Sequence, residues 1–149
     1  MSPMLTIIRP MTEADVPSII EIDREIHYSS WTEEWFYRAL KEPYRAYVVE
    51  QDHQIFGFAV MRYIADEGEL LNIGMAKHQQ HQGYGKQLFL YLIKTAQQKN
   101  IRHIFLEVRA SNATARRLYE QCGFQPIDVR KAYYQLPQVE EAIVYQLNL

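Results

Sequence analysis

A chain of 149 residues, 48% hydrophobic and 23% charged with a formal net charge of −2, has an ordinary globular composition. It is long enough for one domain, residues 1–149, built around one substantial core. The single Cys122 excludes an internal disulfide and a cysteine-cluster metal site, and no apolar run approaches the roughly 18 residues of a membrane span. The opening "MSPMLTIIRPMTEAD" lacks the basic start and long apolar stretch of an export signal, so a cytoplasmic location away from membranes is expected.

In chain order, "LTIIRPM" alternates as a strand does. "TEADVPSIIEIDREI" reads as a helix with Val16, Ile19, Ile20 and Ile26 on one face. Thr12 or Asp15 would cap it, and Pro17 falls in the first turn, where a missing N–H is tolerated. "SSWTEEWFYRAL" predicts a short helix capped by Ser30 or Thr32 that buries Trp35, Phe36, Ala39 and Leu40. "RAYVVE" and "IFGFAVMRYI" flank the turn signal "QDHQ" and predict a hairpin, and "ELLNIGM" predicts a further strand. A helix from Gly83 to about Lys99 carries Leu88, Leu92 and Ala96 as its inner stripe, with Phe89 and Ile93 beside it. "IRHIFLEV" is a buried strand, and "SNATARRLYEQCGF" is a helix stopped by Gly123. "QPIDVR" and "AIVYQLNL" complete the chain as strands. The sum is a mixed α/β fold, one sheet with helices on both faces.

The stretch "HQQHQGYGKQLF", residues 78–89, places two of the six glycines just ahead of a helix. Glycine lets backbone N–H groups approach a ligand closely, and a helix N-terminus attracts anions, so the pattern suggests a phosphate cradle. It lies in a basic region: residues 76–135 hold ten Lys/Arg against three acids, whereas residues 1–50 hold five bases against nine acids. Such a region is either a solvated face or a surface turned toward an anionic ligand. Direct nucleic-acid binding is not expected, since no motif for it accompanies the charge. A Walker loop is excluded because Gly85-Lys86 is followed by Gln87 and lacks the metal-binding hydroxyl. A dinucleotide fingerprint would need a small residue at Leu88 and a shorter distance from the preceding strand, although Glu107 falls near the ribose-binding position.

"Gln80-His81-Gln82-Gly83-Tyr84-Gly85", after a strand and opening a long helix, resembles the Q/R-x-x-G-x-G/A pyrophosphate loop of the GNAT N-acetyltransferase superfamily. The resemblance continues through "ELLNIGM" before the loop and "LEVRASNATARRLYEQCGF" after it. The second block, with "KAYY", "EEAIVYQL" and "YSSWTEEWF", is similar to the bacterial ribosomal-protein-alanine N-acetyltransferases. Similarity covers most of the chain and is strongest over 69–134. It implies the GNAT fold, a mainly antiparallel central sheet flanked by helices on both faces. It also implies acetyl-CoA as acetyl donor without a metal, and as acceptor the N-terminal alanine of small-subunit ribosomal protein 18. A lysine side chain, another protein N-terminus or a small amine are alternative acceptors, and a non-catalytic acyl-CoA sensor is a further alternative.

The same resemblance implies roles. Glu107 would be the general base and Tyr119 the donor of a proton to the departing thiolate. Ile73, Gly74 and Met75 would offer backbone groups to pantetheine, with Asn112 as a further partner. Gln80, His81, Gln82, Gly83, Tyr84, Gly85 and Lys86 would hold the pyrophosphate, with Gln80 standing where many relatives carry Arg. Taken alone, Tyr119 also reads as a core tyrosine, Asn112 as an ordinary helix cap and Glu107 as an edge carboxylate. His78, His81 and His103 lack metal-ligand spacing and read as surface residues, and Cys122 reads as a small core residue.

Overall fold

The computed structural model describes residues 6–149, so Leu5 of the first predicted strand and the first residues of the opening segment lie outside it. The chain order is β1 (Thr6–Pro10), α1 (Val16–Ile26), α2 (Glu33–Arg38), β2 (Tyr44–Gln51), β3 (Gln54–Ile64), β4 (Glu67–Met75), α3 (Tyr84–Gln98), β5 (His103–Arg109), α4 (Ala113–Gln121), β6 (Gln125–Tyr134) and β7 (Glu140–Asn148). The seven strands form one sheet in the order β1-β2-β3-β4-β5-β7-β6. Every neighbouring pair is antiparallel except β4 with β5.

Local chemistry accounts for the element ends. Thr12 and Asp15 form a capping box ahead of α1, and Pro17 sits in its first turn, where no N–H is needed. Arg9 donates to both oxygens of Asp15 at 2.8 and 2.9 Å, which ties the start of this helix to β1. The Arg9 guanidinium holds the Asp15 carboxyl below its ordinary pKa, as does the Thr12 backbone N–H. The β2–β3 hairpin turns on Asp52 and His53, both at positive φ, which matches the right-handed twist of its strands. Gly123 at φ +95° ends α4 in a Schellman motif: Phe124 N–H reaches the Tyr119 carbonyl at 3.0 Å and Gly123 N–H reaches Glu120 at 3.1 Å.

The two faces can be assigned from packed pairs. Phe36 of α2 lies edge-on to Phe58 at 5.8 Å, and Gly74, opposite Phe58, faces Ile26 of α1. Tyr47 stands opposite Ala59, the neighbour of Phe58, and so belongs to the other face, where it meets Tyr91 of α3 at 5.3 Å. Tyr119 of α4 packs on that second side, 5.1 Å from Phe89 of α3 and 5.9 Å from Tyr145 of β7. Helices α1 and α2 thus cover one face, and α3 and α4 the other.

Several expected burials differ, and Leu40 is half-buried rather than buried. Trp35 is 45% exposed and carries Arg38 over its ring, because Phe36 and Ala39 already occupy the inward face of the six-residue α2. The half-buried Trp31 takes the place against Phe36, at 5.3 Å. In α1, Val16, Ile19 and Ile22 are buried while Ile20 and Ile26 are half-buried, and the acid Asp23 is buried with them.

Candidate active site

The site begins with one extra residue. Val60 faces Asn72 and the next residue, Met61, faces Leu70, so Leu71 is bulged out of the β3–β4 ladder. A bulge bends its strand and increases local twist. The parallel pairing of β4 with β5 covers only Glu67, Glu69 and the residues between and opposite them, and the strands part beyond Glu69 and Phe105. Ala76 N–H is donated to Phe56 at 2.7 Å, and backbone groups alternate along a strand. Ile73 and Met75 therefore direct their backbone N–H and C=O away from β3, into the opening. Gly74 has a different reason to lack a side chain: an added Cβ would stand 2.1 Å from Ile26 Cδ1 on the α1 side.

Residues 80–86 close the upper end of the opening. The Gln80 side-chain amide donates to the Met75 carbonyl at 3.0 Å, so this glutamine fastens the loop to β4. His81 (φ 63°) and Gly83 (φ +86°) both have positive φ on either side of Gln82, an alternation from which backbone anion nests are built. A Cβ on Gly83 would meet nothing within 4 Å, so the space before α3 is open. At Gly85 it would touch Leu118 of α4 at 3.4 Å, an ordinary contact. The Tyr84 side chain turns inward, against Phe56 at 4.8 Å, and its hydroxyl accepts from Gln51 at 2.9 Å. The Gln82 side chain donates to the His78 carbonyl, and Lys86 is exposed on the first turn of α3.

Glu107 lies on the lip of the opening. It stands on β5 opposite Val144, whereas its neighbour Leu106 stands opposite Tyr145, the residue against which Tyr119 packs. Adjacent strand residues point to opposite faces, so Glu107 is on the α1/α2 face and Tyr119 on the α3/α4 face. The gap between β4 and β5 connects them. Burial pushes the Tyr119 phenol well above its ordinary pKa, with Tyr134 and Tyr145 adding to the shift. Asn112 caps α4, its side chain accepting from Ala115 N–H at 3.1 Å. Cys122 is half-buried, and burial raises its thiol pKa, a small core residue's setting.

Sequence reasoning expects an acceptor peptide between "SSWTEEW" and "KAYY" with its amine at Glu107, but it does not foresee Arg130 beside that carboxylate. Strand β6 runs past "QPIDVR" through "KAYY", and between Arg130 and Tyr134 it carries more residues than β7 opposite, with Ala132 at φ 52°. This irregularity aims Arg130 and the two tyrosines at the lip. Arg130 pairs with Glu107 at 3.1 Å. Glu107 beside the Tyr133 hydroxyl raises that phenol's pKa by hydrogen bonding, and burial followed by the Glu107 charge pushes Tyr134 up to about 12. Arg109 lies over the Tyr134 ring at 4.2 Å and pairs with Glu140 at 3.2 Å. A cleft of about 260 Å³ opens here, lined by Arg62, Glu67, Glu69, Phe105, Glu107 and Arg130, with Arg62 paired to Glu69. The histidines stand apart: His78 and His81 are exposed, His103 meets Asn148 at 2.7 Å, and no metal-binding cluster occurs among the described residues.

The chain matches the acetyltransferase (GNAT) family over residues 16–124. It is 32% identical over 143 residues to the ribosomal protein bS18-alanine N-acetyltransferase of Escherichia coli (strain K12), covering 95% of this chain and 97% of that protein. It is 35% identical over 133 residues to the enzyme of that name from Haemophilus influenzae, covering 89% and 90%. The crystal structure of the ribosomal-protein-S18-alanine N-acetyltransferase from Escherichia coli superposes with a TM-score of 0.91 over 97% of this chain and 94% of that one. GNAT acetyltransferases use acetyl-CoA as co-substrate. A bulge-opened sheet, a nest before α3 and this extent of similarity agree: the chain is an acyltransferase of the acetyltransferase (GNAT) family.

Proposed function

We propose that this chain, acting as one domain over 1–149, transfers acetyl from acetyl-CoA to the N-terminal alanine of ribosomal protein bS18, in the cytoplasm and without a metal. The supporting observation is the parting of β4 from β5, with Glu107 on one face of the gap and Tyr119 on the other. The residues present fit the donor. The nest at 80–86 and the open space at Gly83 suit a pyrophosphate, with Lys86 beside it. The outward backbone groups of Ile73 and Met75 suit the amides of pantetheine, and Asn112 is a further contact at the start of α4. Acetyl-CoA supplies an acetyl thioester.

The protein residues act on protons. Glu107 accepts the proton of the acceptor amine, directly or through one water. An α-amine has a pKa near 7.7–8.0, so this base has a modest task at neutral pH. Tyr119 stays a neutral phenol because burial disfavours its anion. It therefore keeps its proton to donate toward the sulfur of the leaving group, on the α3/α4 face. The acceptor enters from the α1/α2 face to reach Glu107, which lines the cleft with Arg130 and has Tyr133 and Tyr134 nearby. No covalent enzyme intermediate is required.

Incubation with acetyl-CoA and a peptide beginning Ala-Arg, followed by mass spectrometry, tests the reading. Acetyl on the α-amine supports it, and no acetylation of the free N-terminus contradicts it. The acyl-CoA sensor, which binds without turnover, is distinguished by the same assay.

A further inference from the structure

Helix α1 contains an acid where its stripe calls for an apolar residue. Asp23 follows Val16, Ile19 and Ile20 on the inward side, and its side chain is 1% exposed. A buried carboxyl requires hydrogen-bond partners, and this one has three, two from the segment after α1 and one from β4. Trp31 N–H donates to Oδ2 at 2.7 Å. The Asn72 side-chain amide, on β4 just beyond the bulge, reaches Oδ1 at 3.3 Å. His27 Nδ1 lies 2.6 Å from Oδ1, within hydrogen-bond reach.

These bonds fasten residues 27–31, the connection from α1 to α2, to the arm of the sheet that has left β5. The same connection reaches the other arm. Tyr28, 70% exposed, has the Arg109 guanidinium 5.6 Å from its ring centre, and Arg109 also lies over Tyr134 at 4.2 Å. Arg109 is two residues from Glu107 on β5. Segment 27–31 thus spans the opening on the α1/α2 face, held to β4 through Asp23 and Asn72 and to β5 and β6 through Tyr28, Arg109 and Tyr134.

We propose that Asp23 is a positioning residue for acetyl transfer: it fixes segment 27–31 as the wall against which the acceptor docks, without touching the reacting atoms. Arg109 secures the opposite end of that wall. The proposal rests on the reading of the α1/α2 face as the acceptor side. Because residues 73–75 and 80–86 make none of these contacts, loss of the wall should register on the acceptor alone.

The test compares Asp23→Asn, Asn72→Ala and Arg109→Lys with wild type, using the holo reaction with acetyl-CoA and the Ala peptide. Asp23→Asn keeps an oxygen for Trp31 and removes the charge. Asn72→Ala cuts only the link to β4, and Arg109→Lys keeps charge while losing the planar stack. The expected result is a rise in peptide KM of about tenfold, the scale of one charge-assisted hydrogen bond lost from the support of a site. kcat should stay within about twofold, because the reacting groups are untouched. Acetyl-CoA affinity by calorimetry should not change. Wild-type peptide KM in folded Asn72→Ala and Arg109→Lys proteins would overturn the proposal, even if Asp23→Asn does not fold. So would a parallel loss of acetyl-CoA affinity, which marks a general structural role. If wild type instead prefers an N-blocked lysine peptide, the assignment of acceptor fails, and the same KM comparison made with that peptide still decides the role of Asp23.

Discussion

At the residue scale, the roles proposed for Glu107 and Tyr119 can be tested separately. Glu107→Gln is expected to lower kcat by about 10²–10⁴-fold, the usual loss for a general base, with acetyl-CoA affinity retained. Tyr119→Phe is expected to lower kcat as well, through impaired departure of the thiolate. Steady-state kinetics with calorimetry checks both, and wild-type turnover in both variants would remove these roles. Gly83 tests the cradle. Its φ of +86° and the empty space around it mean that Gly83→Val strains the loop and fills the ligand's side without disturbing the core. Acetyl-CoA binding should weaken by at least about tenfold, as expected when charge-assisted hydrogen bonds to a phosphate are lost. Gly85→Ala, which only touches Leu118, should bind nearly as wild type does.

At the element scale, the capping of α1 makes stability depend on pH. Asp15 has its pKa depressed in the folded state by Arg9 and the Thr12 backbone. A depressed carboxylate stabilises the fold above its unfolded pKa near 3.9 and loses that contribution as pH falls through the folded value. Thermal melts should therefore show an acid-side loss of stability below about pH 4 that is smaller in Asp15→Ala. At neutral pH that variant should be less stable by about 1–2 kcal/mol, the scale of a lost helix cap. Gly123→Ala should cost about 1 kcal/mol, because φ +95° disfavours a Cβ.

The elements themselves were legible because periodicity and caps agreed. The order of strands and helices, the cap at Thr32, the hairpin at 52–53 and the stop at Gly123 all follow from local chemistry. What sequence could not show depends on register. The bulge at Leu71 and the irregularity at 131–133 are properties of strand pairing, and the second sets Arg130, Tyr133 and Tyr134 near Glu107. Asp23 did leave a signal, a carboxylate interrupting the apolar stripe of α1, and a polar residue at a core position is the informative exception. Gly74 shows the converse: the resemblance implies that it offers its backbone to pantetheine, yet it pairs with Phe58 of β3 and the space its missing side chain leaves is filled by Ile26.

At the scale of the whole molecule, the proposed reaction places the donor along β4 and the loop before α3, and the acceptor on the face that carries Glu107 and the cleft beside it. Among the described residues no helix is long and apolar enough to cross a membrane. The choice of acceptor then turns on which amine can present itself neutral at the lip. An α-amine with a pKa near 7.7–8.0 offers a neutral fraction at pH 7 a few hundred-fold larger than a lysine at 10.4. A small first residue is expected to be preferred beside Tyr133 and Tyr134.

A competition at pH 7 between a free-amine Ala peptide and an N-blocked Lys peptide, with acetyl-CoA limiting and both products read by mass spectrometry, tests the N-terminal assignment most directly. The expected result is acetylation of the Ala α-amine with little on the lysine, and weaker activity when the first residue is bulky. Equal or greater acetylation of the lysine peptide would contradict N-terminal transfer and leave a GNAT acetyltransferase with a different acceptor.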